Sequence, residues 1–207
     1  METVSTPSFL QRHPVLKDTI GLIGFILAVV AGTIILNSFV FRSYNVVGSS
    51  MENTLRSDDR IIVNRVPVTL AHLQNKEYVP KRGQIIVFTN PNHNSIEKNQ
   101  YIIKRVIAFE GERVTVRDGV LTVYNDEHKN GFHPDDETRK SDSEGPKQHT
   151  KGDIDVTVPE GEIFVSGDNR ENDNSYDSRN GLGTIPLYDV VGPASFRFFP
   201  FNQIRFF

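Results

Sequence analysis

Three stretches of the chain hold side chains that could do chemistry together. The first is Tyr44–Leu55, Tyr-Asn-Val-Val-Gly-Ser-Ser-Met-Glu-Asn-Thr-Leu. Its Gly48-Ser49-Ser50 corner turns sharply and leaves a hydroxyl on uncrowded backbone, as a nucleophilic serine requires. Glycine and serine also make ordinary turns, so the corner alone reads as a turn. The second is Tyr101–Ile107, where Lys104 sits in a run of Ile and Val. Burying a lysine there without a partner lowers its pKa from about 10.4, and the neutral amine becomes a general base. The alternative is an alternating strand with Lys104 outward and Arg105 inward, because alternation allows only one of the pair inside. The third is Val165–Arg179, where a strand ends in Gly167-Asp168 and a dense polar loop follows. Asp177 and Arg179 are spaced to pair across two residues. An exposed Asx-rich turn is the plain alternative. A calcium loop is disfavoured, because the spacing lacks the glycine and the terminal bidentate glutamate of an EF-hand.

These stretches must be held by something, and the rest of the chain predicts what. Thr19–Phe41 has no charged residue. Its roughly 23 residues make a helix of about 34 Å, enough to cross a hydrocarbon core of about 30 Å. The hydroxyls of Thr19, Thr33 and Ser38 can bond back to the helix backbone. A cleaved signal peptide would have a shorter apolar region, so the segment reads as an uncleaved anchor. Before it, residues 1–18 form a short polar tail, with Pro7 and Pro14 expected to break any helix. Arg12 and Lys17 precede the span and Arg42, Arg56 and Arg60 follow it, so the charge rule leaves the orientation open.

Beyond the anchor, residues 42–207 read as a mainly β domain. Strands are expected at Arg60–Val66, Gln84–Thr89, Tyr101–Phe109, Glu112–Val116, Val120–Tyr124, Ile154–Val158, Glu162–Val165 and Val190–Phe198. Lys81-Arg82-Gly83 and Asp118-Gly119 are tight turns, the latter a hairpin. The one further helical stretch is Val68–Gln74. Residues 125–153 are almost wholly polar and read as an exposed loop or hairpin tip inserted in the β domain. Their His128, His133 and His149 fit no ligand spacing, so no metal site is expected there. The 207-residue chain has no cysteine, which excludes disulfides, a cysteine nucleophile and thiolate metal sites. Its net charge is −3 and it has no basic stripe, so no nucleic-acid partner is expected.

A single span, a Ser-Met motif, a Tyr-Ile-(Ile)-Lys-Arg-Val motif and a Gly-Asp-Asn…Ser-x-Asp-Ser-Arg motif, in that order, resemble bacterial type I signal peptidase. That family comprises membrane serine proteases that remove signal peptides from exported proteins. The resemblance covers Tyr44 to about Ala194 and leaves the polar insertion unmatched. It implies Ser50, directly before Met51, as nucleophile, with Ser49 the less favoured neighbour. It implies Lys104 as general base, Ser175 as a hydroxyl that orients the lysine amine, and Asp177 and Arg179 as an ion pair that props the site. Gly48 falls where many members carry an oxyanion-hole serine and others a glycine. Losing such a donor costs about 2.7–4 kcal/mol where nothing replaces it. Asn53 stands where the family usually has proline, and the third motif carries about two extra residues before Ser175.

The resemblance further implies cleavage after small residues (Ala-x-Ala), no cofactor, and preproteins and the lipid bilayer as partners. It implies a single-pass protein of the plasma membrane with its β domain outside the cytoplasm and residues 1–18 inside. An extended substrate would add as a strand beside the site. Tyr44, Val46, Met51 and Ile103 are candidate apolar pocket walls, with ordinary core packing as the alternative. The phenylalanines of Phe196–Phe201 and Phe206-Phe207 suit either a membrane interface or packing onto the domain. Two other classes are weaker. A self-cleaving repressor-type protease should carry an N-terminal DNA-binding unit where this chain has a span. A membrane-anchored binding module or inactive homologue draws only on Gly48 and Asn53.

Overall fold

The computed structural model describes residues 13–91, 101–141, 144–171 and 175–207. Pro7, Arg12 and most of the polar tail lie outside the described residues, as do positions 172–174 of the third motif. Helix α1 runs Pro14–Ile35 and buries none of its residues. Pro14 opens this helix rather than breaking it, a correction to the sequence expectation. At the first helical position the missing N–H has no intrahelical partner to lose, and proline's fixed φ already suits the helix. The hydroxyls of Thr19 and Thr33 donate to the carbonyls four residues back, each at 2.8 Å. One wide helical turn, Leu36–Val40, follows. Among the described residues this is the one helix long and apolar enough to cross a membrane.

The chain leaves the helix directly into β1 (Phe41–Asn45), a strand the sequence reading missed. β1 pairs antiparallel with β2 (Arg60–Asn64), from Phe41 opposite Asn64 to Asn45 opposite Arg60. Helix α2 (Val66–Leu73) begins two residues before the predicted stretch, with Pro67 in its first turn. β3 (Ile85–Thr89), β4 (Tyr101–Phe109), β5 (Arg113–Arg117), β6 (Val120–Tyr124), β7 (Ile154–Thr157), β8 (Glu162–Ser166), β9 (Ile185–Pro186), β10 (Val190–Phe199) and β11 (Arg205–Phe206) complete the described strands. They form an eight-stranded antiparallel sheet, ordered β1-β2-β10-β3-β4-β8-β9 with β11 beside β10, and a three-stranded sheet ordered β6-β5-β7. The fold is mainly antiparallel β behind one N-terminal apolar helix.

Strand β10 joins two halves of the large sheet. Its first residues pair with β3 and its later ones with β2. Gly192 sits at the crossover with φ +155°, and a Cβ there would run into the Asn64 carbonyl oxygen. The β5–β6 hairpin turns at Asp118 (φ 49°) and Gly119 (φ 79°), the paired positive angles a two-residue turn needs.

Both faces of the β3–β4 pair are covered. One apolar cluster holds Ile85 and Val87 with Met51, Leu55, Ile61 and Val63, and Ile103 packs against it. The other holds Ile86, Phe88 and Val106 with Ile163, Val165 and Ile185, and Ile102 packs against it. The expectation that only one of Lys104 and Arg105 is inside therefore fails. Alternation sends successive residues to opposite faces, and here neither face meets water. The two are 4% and 5% exposed.

The polar insertion also departs from expectation. It carries a short helix α3 (Asp136–Ser141), Phe132 pairs with Val123 of β6, and Asp135 and Thr150 are buried. Polar composition did not prevent order, because hydrogen bonds and ion pairs to the neighbouring loop replace the missing apolar area.

Candidate active site

The Ser50 corner is tied at both ends. Val46 N donates to the Asp59 carbonyl at 2.8 Å and Asp58 N returns a bond to the Val46 carbonyl at 2.9 Å. Gly48 takes φ +94°, which lets the chain double back, and its N–H donates to the Ser57 hydroxyl at 2.9 Å. Met51 and Leu55 sink into the core and fix the far side. The third motif grips the corner from above. Asn169 N donates to the Ser50 carbonyl at 3.0 Å and its side-chain amide to the Ser49 carbonyl at 3.2 Å. Gly167 lies so close that a Cβ there would collide with the Ser50 carbonyl oxygen and stand 2.7 Å from Ser175 Oγ. Only glycine permits that approach.

Strand β4 brings Lys104 against this corner, with Nζ 2.7 Å from Ser50 Oγ. The amine also donates to the Ile103 carbonyl at 3.0 Å. No carboxylate bonds it among the described residues. Burial lowers its pKa to about 8, while Asp177 and Asp168 pull upward and Arg179 pushes down. Desolvation wins because the charged form loses water and gains no direct counter-ion.

The neighbouring charges are paired. Arg105 grips Asp168 through Nε at 2.8 Å and Nη2 at 2.5 Å, and donates from Nη1 to the Gly83 carbonyl. Thr54 Oγ1 lies 2.5 Å from the same carboxylate. Arg179 grips Asp177 through Nε at 3.1 Å and Nη2 at 2.8 Å, and Gly167 N–H adds a bond at 2.9 Å. Burial raises the Asp177 carboxyl, but these donors outweigh it and hold it below its ordinary range. The Ser175 hydroxyl donates to Asp177 at 2.7 Å, and no bond joins it to Lys104.

Tyr44, Val46, Met51 and Ile103 fall in one apolar cluster. Val46 and Met51 are buried within it, whereas Tyr44 and Ile103 are half-buried. Tyr44 meets Tyr101 edge to face at 5.2 Å. Gly48 has open space where a side chain would stand, and Ser50 N–H bonds no acceptor among the described residues. No group of three or more metal-ligating residues occurs among the described residues.

Sequence reasoning passed over three parts of this arrangement. Asp168 and Thr54 had no assigned role, although an arginine in an apolar strand signals a buried carboxylate partner. The close approach of Gly167 leaves no mark beyond the glycine itself. Asp135, which pairs with Arg170, lay in a segment read as a solvated loop.

The chain matches the family described as signal peptidase, peptidase S26, over residues 16–199. It is 35% identical to a signal peptidase I of Bacillus licheniformis over 87% of this chain and 88% of that protein. It is 36% identical to signal peptidase I T of Bacillus subtilis over 83% of this chain and 81% of that protein. A crystal structure of a signal peptidase I from Enterococcus faecalis aligns at 30% identity, covering 56% of this chain and 96% of that one, with a TM-score of 0.40.

Proposed function

The chain belongs to the signal peptidase family, peptidase S26, and on that premise we propose that it removes N-terminal signal peptides from exported preproteins as a serine endopeptidase, with Ser50 as nucleophile and Lys104 as general base. One observation carries the residue assignment: a buried amine with no carboxylate bonded to it, its pKa near 8, stands 2.7 Å from the Ser50 hydroxyl. A neutral lysine at that distance can take the hydroxyl proton as the oxygen attacks the scissile carbonyl. The protonated amine then gives its proton to the leaving amine, and an acyl-enzyme on Ser50 remains. Lys104, neutral again, takes a proton from water, which attacks the ester and frees Ser50.

The developing oxyanion needs donors. Ser50 N–H bonds no acceptor among the described residues, and Gly48 offers no hydroxyl. Asp177 and Arg179 hold the loop against which the lysine packs, and Ser175 acts on the amine through Asp177 rather than by a direct bond. Half-buried Tyr44 and Ile103 are the pocket walls left to a substrate, and Val46 and Met51 support them from the core. Small residues before the cut, Ala-x-Ala in type, follow from the family resemblance.

Helix α1 anchors the chain in the plasma membrane, with residues 1–18 cytoplasmic, 19–41 spanning and 42–207 outside. Phe206 of β11, on the same sheet as β1, and Phe201, in the turn between β10 and β11, are 77% and 75% exposed and supply an aromatic contact with the bilayer surface. The test is cleavage of a preprotein by the full chain in detergent. Wild type is expected to cut after Ala-x-Ala, and folded Ser50→Ala and Lys104→Met to lose at least about 10³-fold in kcat/KM. Undiminished cutting by Ser50→Ala would move the assignment to Ser49.

A further inference from the structure

The polar insertion enters the interior at one side chain. Asp135 is almost fully buried and accepts two bonds from the Arg170 guanidinium, at 2.5 Å from Nη1 and 2.8 Å from Nη2. Arg170 has no exposed surface at all. Its Nε donates to the Gly167 carbonyl at 2.7 Å. The fork thus ties the insertion to the glycine that abuts Ser50 and Ser175 and whose N–H bonds Asp177. The Arg170 carbonyl accepts from Arg179 Nη1 at 2.9 Å and from Lys151 N at 3.0 Å, so the same residue reaches the second ion pair. Further ties run from the insertion: Lys147 N to the Asp168 carbonyl at 3.2 Å, and Thr54 Oγ1 to the Glu144 carbonyl at 2.9 Å. Phe132 and His133 anchor the approach, bonding Val123 and the Leu121 carbonyl of β6.

A buried ion pair is a poor device for stability, because desolvating both charges offsets most of their attraction. It is a good device for geometry, since a planar guanidinium with three bonded nitrogens accepts one orientation. The pair adds little that a hydrophobic contact could not, except that it fixes Gly167.

We infer that Asp135 is a positioning residue for the Lys104 amine, acting through Arg170 and the Gly167 backbone, so that the insertion between β6 and β7 is the brace of the catalytic loop. The inference rests on the Ser50/Lys104 reading above. Charged groups near the amine are Asp177, Asp168 and Arg179, and those facing Asp135 are Arg170 and Arg139. Without the brace the Gly167 backbone loosens against the Ser50 corner that meets the Lys104 amine, water reaches the amine, and the burial that depresses its pKa weakens.

The experiment measures kcat and KM for preprotein cleavage between about pH 6 and 10. It uses the full chain in detergent, as wild type, Asp135→Asn, Asp135→Glu and the exposed control Glu137→Gln. Asp135→Asn should lower kcat about 10- to 100-fold, the scale of a small misplacement, with KM within about threefold. It should also move the acid limb upward from its wild-type midpoint. Asp135→Glu should recover part of both, and Glu137→Gln should match wild type. A folded Asp135→Asn with the wild-type limb overturns the inference, whether its kcat is unchanged or falls only with its folded fraction. If Asp135→Asn does not fold, Arg170→Lys is read in the same way, because it keeps the charge and loses the fork. If neither folds, the pair is a folding element and the inference falls. A wild type with no acid limb, or activity surviving in Lys104→Met, defeats the Ser50/Lys104 reading instead.

Discussion

Two arginine–aspartate pairs in this protein have the same closest distance and different surroundings. Arg105 of β4 and Asp168, in the loop just after β8, meet at 2.5 Å with side chains 6% and 0% exposed. Arg113 and Asp155, across β5 and β7 of the small sheet, also meet at 2.5 Å, with side chains 49% and 37% exposed. Distance therefore says little about what a pair does. On the small sheet, water screens the charges and would solvate either one alone. Beside the large sheet both side chains are shielded from water, so each depends on the other for charge compensation. Lys104 makes the comparison sharper. It shares that interior with Arg105, its neighbour in β4, but no carboxylate bonds it, and its pKa falls to about 8. Arginine stays protonated in any surroundings and here has a carboxylate to compensate it, whereas burial weakens the charge of a lysine that no carboxylate bonds.

The largest effect should come from Lys104→Met. Activity should fall by at least about 10³-fold, yet the variant should be no less stable than wild type. The folded pKa of about 8 lies below the ordinary 10.5, so the folded state binds fewer protons across that window. Wild-type stability should therefore rise with pH between those values, and the penalty, fully present below pH 8 and absent from Lys104→Met, is of the order of 3 kcal/mol. Chemical denaturation of both proteins at pH 7 and 10 measures it. A Lys104→Met protein that is dead because it is unfolded would break the contrast.

Asp168→Asn should act the opposite way. It leaves Arg105 as an uncompensated buried charge and should cost about 3–5 kcal/mol of stability, read as a lower unfolding midpoint. A midpoint equal to wild type would mean that water or the Gly83 carbonyl is partner enough.

Rate against pH comes next. The neutral amine is the base, so activity should climb as pH rises through about 8 and then level off. Near pH 7 only about a tenth of the enzyme is poised, so the plateau should exceed that rate about tenfold. A profile flat from pH 6 to 9 would mean that Lys104 is not the titrating base.

The parts of the site that were legible beforehand are those whose residue type conflicts with their surroundings. Lys104 among isoleucines and Ser50 after a glycine are local anomalies, and one strand or one corner shows them. Arg105 was misjudged because the alternation rule assumes one wet face, and only the assembled sheet shows that β4 has none. Asp135 was missed for a related reason. Its neighbours are polar, so nothing local marks it as buried, and its partner Arg170 arrives from a loop 35 residues away. β1 was hidden because polar Arg42, Ser43 and Asn45 show no clean alternation directly after an apolar span, where the span dominates the reading. The fold class was readable from many short β-branched runs, whereas order within the insertion depends on long-range polar pairing that composition does not encode.

The smallest effect is expected on the small sheet. Arg113→Ala removes both bonds to Asp155 and the stacking of the guanidinium over Tyr124, 5.5 Å from the ring centroid. Both partners are raised or lowered in pKa in the direction of an ion pair, first through their mutual hydrogen bond. Yet Arg117 also reaches Asp155, at 3.0 Å, and keeps a cation beside it. The variant should unfold within about 3 °C of wild type and cut at the wild-type rate, and added salt should erase what difference there is. A drop as large as that of Asp168→Asn would mean that burial is not what separates the two pairs, and the reading of Lys104 as a buried amine without a bonded carboxylate would lose its reference point.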